Sequence, residues 1–328
     1  MKTNFDLYQN EIIKTITPAL SFDPNCDLNE YKKVLREKLI ELLGIKNIEK
    51  NACELKVDID STTETEKYNY VPCILVVPNT GKDKYDLVIT IHGHSSGGVR
   101  LLVNEAEPAE LNIPGHKDMA FQAADNGYAA LGIEMRGRDL QFTNIPYRST
   151  RPDNLCQFPA FTALLMGRCH IGERVWDISR VLDIMPMFKN INLDNIVMTG
   201  PSGGGTMTFY SSAYDERIKF CVPVVSFCPY AESILDKYHC ICNYIPGAYQ
   251  WFDMQDICAL IAPRVLCMVN GEKDFIFPIG GARRGFKVAE QIYEKAGVRE
   301  NLSMVVTPYP HQWAADYVWP AINKLKNK

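Results

Sequence analysis

Apolar residues change their spacing along this chain, matching first helices, then strands, then an alternation of the two. In residues 1–50 they recur every three or four positions, which predicts helices, and Gly44 follows as a helix C-cap. Residues 53–78 alternate apolar with polar positions, which predicts antiparallel strands. From residue 85, continuous apolar runs alternate with amphipathic segments, which predicts parallel strands joined by helices.

Together these segments predict an α/β protein with a mostly parallel central sheet and helices on both faces. We expect a helical N-terminal extension at residues 1–50 and one α/β domain at residues 51–328, with an insertion at about 228–258. The irregular stretches 140–168 and 228–256 follow strands, so we expect them to form pocket walls. The predicted parallel strands are 87–91, 128–133, 196–199, 221–227, 265–269 and 302–306, and the predicted helices are 118–126, 172–189, 206–214, 282–296 and 312–325.

The composition argues against several classes of function. The net charge of −4 and the lack of a basic cluster argue against nucleic-acid binding, which needs grouped Lys and Arg. No apolar run is long enough to span a bilayer, and residues 1–6 lead into polar sequence rather than a signal peptide. The 11 cysteines are an odd number scattered through predicted core segments, and no secretion signal is recognised, so we expect reduced thiols in a cytoplasmic protein.

One motif predicts a nucleophilic serine. The apolar run 196–199 leads into Gly200-Pro201-Ser202-Gly203-Gly204, and a predicted helix follows. A serine in the G-x-S-x-G pattern at a strand-to-helix turn is typical of a nucleophile elbow, whose tightness requires small neighbours. We therefore expect Ser202 to be held out at the carboxyl end of a strand, where a substrate can reach it.

A serine nucleophile needs a base and a carboxylate that orients the base. Only His239 and His311 follow Ser202, and His311 comes after the last predicted strand, where the chain order Ser, acid, His places the base. His239 lies in the insertion, before the next strand, and is in the wrong order. Asp274 is the predicted acid because it lies deep in the loop after strand 265–269, and Glu272 is the fallback.

The oxyanion formed by attack on a carbonyl needs backbone N–H donors. Gly203, the residue after the serine, supplies one, and the Gly-rich loop after strand 87–91 supplies the other, with His94 preferred over Ser95. A phosphate cradle is the alternative for this loop. It lacks the G-K-[ST] ending of a P-loop, so nucleotide binding is not expected.

Other polar and aromatic residues have competing interpretations. Arg136 ends a strand near the expected pocket, where it either contacts substrate or forms an ion pair that braces its loop. Tyr230 and Trp251 either line the pocket or fill the core. The spacing of Arg174, Asp177, Arg180 and Asp183 predicts an ion-pair ladder on a polar helix face.

The sequence His239-Cys240-Ile241-Cys242 suggests a metal site at first sight. One histidine and a C-x-C pair are too few ligands for a closed zinc site unless distant residues complete it. We therefore expect buried thiols that pack a loop, and no metal.

With these elements in this order, the chain resembles α/β-hydrolase-fold serine esterases, and more narrowly their acetyl-xylan-esterase-like and dienelactone-hydrolase-like group. The matching segments are Ile91-His92-Gly93-His94, Met135-Arg136-Gly137, Gly200-Pro201-Ser202-Gly203-Gly204, Ala262-Pro263-Arg264 and Asn270-Gly271-Glu272-Lys273-Asp274 with Phe277-Pro278. The resemblance implies an α/β-hydrolase fold and the hydrolysis of a carboxylic ester through an acyl-enzyme, without a cofactor.

The same resemblance implies a short acyl ester as the substrate, such as acetyl on a carbohydrate or another small molecule. Nucleic acids and membranes are not expected as partners, and homo-oligomerisation is left open. Two alternatives to an esterase also stay open. One is a peptidase or amidase that uses the same three residues, and the other is a non-catalytic binding protein with a hydrolase fold.

Overall fold

A computed structural model describes residues 4–57, 62–94, 97–105, 117–138 and 156–326. In this part of the chain nine strands form one sheet in the order β1-β2-β3-β5-β4-β6-β7-β8-β9. The strands are β1 Lys56–Val57, β2 Thr62–Glu66, β3 Asn69–Val76, β4 Tyr85–Ile91, β5 Ala129–Ile133, β6 Ile191–Pro201, β7 Ile218–Val224, β8 Val265–Gly271 and β9 Leu302–Thr307.

The described helices lie before and between these strands. They are α1 Phe5–Lys14, α2 Leu28–Leu43, α3 Ile45–Glu49, α4 Met119–Asp125, α5 Gln157–Leu165, α6 His170–Ile184, α7 Gly203–Tyr214, α8 Cys258–Ile261, α9 Ile279–Lys295 and α10 Ala315–Lys326. No helix in the described ranges is long and apolar enough to cross a bilayer.

The pairing of the strands decides where loops meet. β1, β2 and β3 are antiparallel neighbours, and β3 pairs antiparallel with β5. The six strands from β5 through β4, β6, β7 and β8 to β9 are parallel. Because parallel strands end at the same edge of a sheet, the loops that follow β4, β6, β8 and β9 lie together.

Side chains of the buried strands alternate between two hydrophobic cores. Along β4, Leu87 and Ile89 belong to the core on one face of the sheet, and Val88 belongs to the core on the other. Leu35 and Leu39 of α2 are fully buried in the first of these cores. Helix α2 therefore shares a core with the sheet, while the boundary at residue 50 stays a prediction.

Several element boundaries differ from the sequence prediction, two of them for clear local reasons. The helix expected at 172–189 ends as an α-helix at Ile184, and a 3₁₀ turn containing Pro186 follows, since proline lacks the amide that an α-helix needs. The strand expected at 221–227 ends at Val224 because Val225 has a positive φ of 44°. The helix expected from residue 312 begins at Ala315.

Candidate active site

Ser202 lies at a sharp turn between β6 and α7. Its φ of 55° and ψ of −119° form a combination that residues other than glycine rarely adopt. The turn packs tightly against β4, since a Cβ at Gly200 or Gly204 would lie 2.3 or 2.1 Å from the Ile91 carbonyl oxygen. The Ser202 amide also donates to the Val224 carbonyl at 2.9 Å, which ties the turn to β7. The glycines of the motif thus permit the close approach that holds Ser202 at the carboxyl end of β6.

We expect Ser202→Gly to have a free energy of unfolding about 1 kcal/mol higher than that of Ser202→Ala. Glycine relieves the strain of the positive φ, whereas alanine removes the same hydroxyl and keeps the strain. Urea denaturation of both variants measures the difference. Equal stability, or a less stable glycine variant, would contradict strain at this turn.

Asp274 and His311 form a hydrogen-bonded pair at the same edge of the sheet. Asp274 follows β8 and His311 follows β9, and the Asp274 Oδ2 and His311 Nδ1 atoms are 2.8 Å apart. The second carboxylate oxygen accepts from the amides of Ile276 and Phe277 at 2.8 and 3.0 Å. Since an ionised carboxylate only accepts hydrogen bonds, this pairing assigns the proton to Nδ1 and leaves His311 Nε2 as an acceptor.

Two further features fix this pair in place. The Asp274 side chain is completely buried, whereas Glu272, the fallback acid, is exposed. The Phe277 ring stacks on the His311 imidazole with centroids 5.8 Å apart and an interplanar angle of 16°. The structure therefore pairs His311 with Asp274, as predicted, and holds the imidazole from one face.

Ser202 and His311 both line one cavity of about 330 Å³. Among the described residues Ser202 Oγ makes no hydrogen bond, so it is available to a ligand in the cavity. Trp313, a fully buried wall residue, donates its indole N–H to Gln122 at 2.9 Å. The other residues that line the cavity are Gly93, His94, Lys117, Pro201, Val225, Pro310 and Gln312.

Sequence reasoning missed most of these wall residues. Lys117 and Gln312 add polar groups to the cavity, and burial lowers the pKa of Lys117 below its ordinary value. Neither belongs to a motif. The stretch 139–155, part of an expected pocket wall, lies outside the described residues.

The two residues predicted to donate to the oxyanion, Gly203 and His94, are in contact. The Gly203 N–H begins α7 and precedes the first hydrogen bond within that helix. The His94 ring lies directly against Gly203, because a Cβ there would be 2.5 Å from His94 Cε1. The His94 carbonyl accepts from Arg138 Nη2 at 3.0 Å, which orients the loop after β4. Ser95, the second choice, lies outside the described residues, and the donor roles stay predictions.

His92 fixes the start of the same loop, a role that the sequence did not indicate. Its Nε2 accepts from the Met135 amide at 3.1 Å, so Nδ1 carries the proton and donates to the Gly93 carbonyl at 2.8 Å. Burial lowers the pKa of His92 to about 3. The neutral imidazole therefore joins the loops that follow β4 and β5.

Arg136, a predicted pocket residue, lies instead in a buried ion-pair network and does not line the cavity. Its Nε and Nη2 atoms donate to the Asp177 carboxylate at 2.8 and 2.5 Å, and its Nη1 pairs with Glu66. Burial lowers the pKa of Arg136, but the carboxylates of Asp177, Glu173 and Glu66 outweigh burial and raise it. This corrects the pocket assignment and matches the alternative, an ion pair that braces the loop.

The predicted ion-pair ladder on α6 is also corrected. Arg180 and Asp183 form such a pair at 2.5 Å on a partly exposed face. Arg174 and Asp177 are instead buried. Arg174 donates to the Arg136 carbonyl, and Asp177 pairs with the Arg136 side chain. Helical spacing alone did not distinguish the exposed face from the buried one.

We expect Arg136→Met to lower the free energy of unfolding by about 3–5 kcal/mol, since it leaves buried carboxylates without their cation. Arg180→Met is the matched control, because its pair is partly exposed and should contribute about 1 kcal/mol or less. Urea denaturation measures both. Unchanged stability of Arg136→Met would contradict the bracing role.

Tyr230 and Trp251, the other predicted pocket residues, do not line the described cavity. Tyr230 is buried, and its hydroxyl bonds the hydroxyl of Tyr210. Trp251 is partly buried against the main core, and the Lys38 ammonium lies 3.8 Å from its ring centroid. Both aromatic side chains therefore pack the insertion against the core rather than contact the site.

Four ligating side chains meet beside the cavity. A ring nitrogen of His94 and the sulfur atoms of Cys156, Cys240 and Cys242 all lie within 4.8 Å of one another, and His94 Nε2 lies 2.8 Å from Cys242 Sγ. No metal was expected from the sequence, because no distant partners were evident for the C-x-C pair. The fold supplies two such partners, His94 and Cys156. These are the residues that could hold a metal ion.

Comparisons with known proteins agree with this fold. The model of the Abhydrolase family matches residues 8–315. Over 152 residues the chain is 30% identical to "Putative hydrolase YtaP" of Bacillus subtilis (strain 168), a match that covers 45% of this chain. The chain spans 50% of the length of that relative.

Solved structures show the same architecture at low sequence identity. A putative acetyl xylan esterase from Bacteroides fragilis NCTC 9343 has a TM-score of 0.71 and 17% identity, covering 94% of this chain and 83% of that one. Methylesterase BT1017 has a TM-score of 0.68 and 18% identity, covering 98% and 68%. A glucuronoyl esterase from Solibacter usitatus has a TM-score of 0.60 and 15% identity, covering 94% and 96%. The predicted α/β-hydrolase fold is confirmed.

Proposed function

The chain belongs to the Abhydrolase family, and we propose that it hydrolyses a carboxylic ester through a covalent acyl intermediate on Ser202. One observation carries the proposal. The strained turn presents Ser202 to the same cavity that the Asp274-paired His311 lines. A nucleophile, a base with a free nitrogen and a buried carboxylate that orients the base form the set that acyl transfer requires.

In the proposed first step, Ser202 Oγ attacks the ester carbonyl carbon while His311 Nε2 takes the hydroxyl proton. The bond to the alcohol oxygen then breaks, and His311 passes the proton to the leaving alcohol. Water attacks the acyl-serine by the same proton route and releases the acid. In both steps Asp274 accepts from Nδ1 and stabilises the imidazolium.

The proposed oxyanion donors are the amides of Gly203 and His94. The Gly203 N–H lies at the N-terminus of α7, where the helix dipole favours negative charge. A donor that is already oriented stabilises the developing charge without reorganisation, which is worth about 3–4 kcal/mol for a single donor. His94 lines the same cavity as Ser202, which supports its part in this role.

We propose a short acyl ester as the substrate, with acetyl on a carbohydrate as the first choice. The cavity of about 330 Å³ suits a small ligand. Val225 and Trp313 give it apolar walls for an acyl group, while Lys117 and Gln312 offer partners for hydroxyl groups. Structural neighbours named as acetyl xylan and glucuronoyl esterases support a carbohydrate alcohol.

A substrate panel tests this function. We expect the highest kcat/KM for acetylated monosaccharides and p-nitrophenyl acetate, and a fall of about tenfold or more for p-nitrophenyl octanoate, because a long chain exceeds the cavity. A peptidyl p-nitroanilide serves as the amide probe. Faster amide than ester hydrolysis would favour the peptidase alternative, and no turnover of any ester would contradict the proposal.

We expect Asp274→Asn to lower kcat by about 10⁴-fold, because an amide cannot hold His311 in the required tautomer. Glu272→Gln is the matched control, since Glu272 lies exposed in the same loop. Steady-state kinetics on p-nitrophenyl acetate measures both variants. A larger loss of kcat in Glu272→Gln than in Asp274→Asn would contradict the choice of Asp274 as the acid.

A further inference from the structure

We propose that His94, Cys156, Cys240 and Cys242 bind one Zn²⁺ ion in a closed tetrahedral site, and that this site positions the loop after β4 beside Ser202. The proposal goes beyond ester hydrolysis, because it concerns a metal that takes no part in the chemistry of Ser202. It depends on the geometry of the four ligand atoms, their chemistry, the charge around them and the segments that they join.

The four ligand atoms have nearly the spacing of a zinc tetrahedron. With Zn–S bonds of about 2.3 Å and a Zn–N bond of about 2.0 Å, the ligand atoms of a tetrahedral site should lie about 3.5–3.8 Å apart. Here all four lie within 4.8 Å of one another, with 3.3 Å between the Cys240 and Cys242 sulfurs and 2.8 Å between His94 Nε2 and Cys242 Sγ. Shifts of about 1 Å or less would seat the ion.

The donor set favours zinc over harder cations. Three thiolates and one imidazole form a Cys₃His set, which is typical of structural zinc sites. Ca²⁺ and Mg²⁺ prefer oxygen ligands, of which this set has none. The three cysteines are free thiols and can all ligate. Since four protein ligands complete the tetrahedron, no position is left for a catalytic water.

The surrounding charge fits a bound metal. Zn²⁺ with three thiolates carries a net charge of −1, which buried surroundings would disfavour without a counter-ion. Arg174 is fully buried, and its Nη2 lies 3.3 Å from Cys156 Sγ. Among the described residues no carboxylate pairs with Arg174; its other partner is the Arg136 carbonyl at 2.9 Å. Arg174 is therefore placed to neutralise the zinc–thiolate centre.

The site would join three segments that are distant in sequence. His94 belongs to the loop after β4, Cys156 is the N-cap residue of α5, and Cys240 and Cys242 lie at a 3₁₀ turn of the insertion. The His94 ring lies against the Gly203 backbone. A zinc ion on His94 Nε2 would therefore hold the His94 amide in position next to Ser202.

The same turn of the insertion also contacts the helix that follows Ser202. Asn243 Oδ1 accepts from the Thr206 hydroxyl at 3.0 Å. A zinc ion would thus support the turn at Ser202 from two sides. One is His94, and the other is the 3₁₀ turn of Cys240 and Cys242, which contains Asn243. We infer a positioning role for the metal, with no contact to the substrate.

Elemental analysis of the purified full chain tests the assignment. We expect about one zinc per chain, and its loss in Cys156→Ser and Cys242→Ser. Cys228→Ser is the matched control, because Cys228 is buried in the same insertion but outside the cluster, and its sulfur already lies 3.8 Å from a carbonyl acceptor. This control should retain zinc, and so should Ser202→Ala, which separates the metal site from the proposed reaction.

Two measurements on the unsubstituted chain avoid any dependence on variants that fold poorly. Titration of the thiols with p-hydroxymercuribenzoate should release about one zinc per chain, and replacement by Co²⁺ should give the charge-transfer and ligand-field bands of a tetrahedral thiolate complex. A zinc-free but folded variant should lose about 10²-fold in kcat, because a shift of about 1 Å in the oxyanion donor has effects of this size.

Several results would overturn the proposal. They are an unsubstituted chain that holds no zinc after purification and reconstitution, stoichiometric iron or copper in its place, a disulfide among the three cysteines, or full retention of zinc in Cys156→Ser. Unchanged kcat in a zinc-free variant would overturn the positioning role.

Discussion

Ser202→Ala should lower kcat/KM for p-nitrophenyl acetate by at least about 10⁴-fold while the protein stays folded. The substitution removes the only atom that forms the proposed covalent bond. It leaves the backbone of the turn unchanged, because alanine can keep the amide bond to Val224 and the packing of Gly200 and Gly204 against Ile91. Steady-state kinetics and circular dichroism on the same sample measure activity and folding.

The matched control for this variant is Ser211→Ala. Ser211 lies on the helix that follows Ser202, and its buried hydroxyl has no hydrogen-bond partner among the described residues. Its removal should leave both stability and kcat/KM close to those of the unsubstituted chain. A Ser202→Ala variant with more than about a hundredth of the original kcat/KM would contradict a serine nucleophile at this position.

His311→Gln should lower kcat by at least about 10⁴-fold, because it removes the proposed base. Among the described residues that line the cavity with Ser202, His311 is the one that pairs with Asp274. His239→Gln should leave kcat near its original value. Both histidines contact Phe277: the His311 ring is stacked on it with centroids 5.8 Å apart, and the His239 ring meets it edge-on at 5.0 Å. His239 is therefore a control that contacts the same aromatic ring without pairing with Asp274.

The structural role of His239 explains the expected contrast. Its Nε2 bonds the Ser233 hydroxyl at 3.0 Å, and it does not line the cavity. Burial and then the charge of His311 lower the pKa of His239 to about 4. Glutamine can keep the bond to Ser233. Comparable losses of kcat in the two variants, measured with p-nitrophenyl acetate, would contradict the choice of His311 as the base.

The sequence was sufficient to predict that Ser202, Asp274 and His311 lie at one edge of the sheet, because each has a local signal or a place in the chain order. The turn motif indicates a serine between glycines, and the loops after β8 and β9 contain the expected acid and base. The parallel sheet then brings these loops to one edge. What brings the three residues together is thus a property of the fold class, which hydrophobic patterning predicts well.

Buried polar groups were predicted less well, because their partners come from distant parts of the chain. Arg136 pairs with Glu66, 70 residues away, and Asp177, 41 residues away. From sequence spacing alone, each carboxylate could equally well be exposed or buried. Their burial follows from how α6 packs beside β2, which no local pattern encodes.

The cysteine cluster shows the same limit. The C-x-C pair is visible in the sequence, but His94 lies 148 residues from Cys242 and belongs to a different loop. The same reasoning assigned His94 a role through its backbone amide alone. In the structure the His94 side chain contacts Cys242. One residue could therefore bind the proposed metal through its side chain and the oxyanion through its backbone amide.

Fluorophosphonate labelling followed by peptide mapping tests the central claim most directly, because the reagent forms a covalent bond only with an activated serine. We expect one adduct per chain, located on Ser202, that is lost in Ser202→Ala and forms much more slowly in His311→Gln. An adduct on another residue, or no adduct on the folded unsubstituted chain, would contradict it.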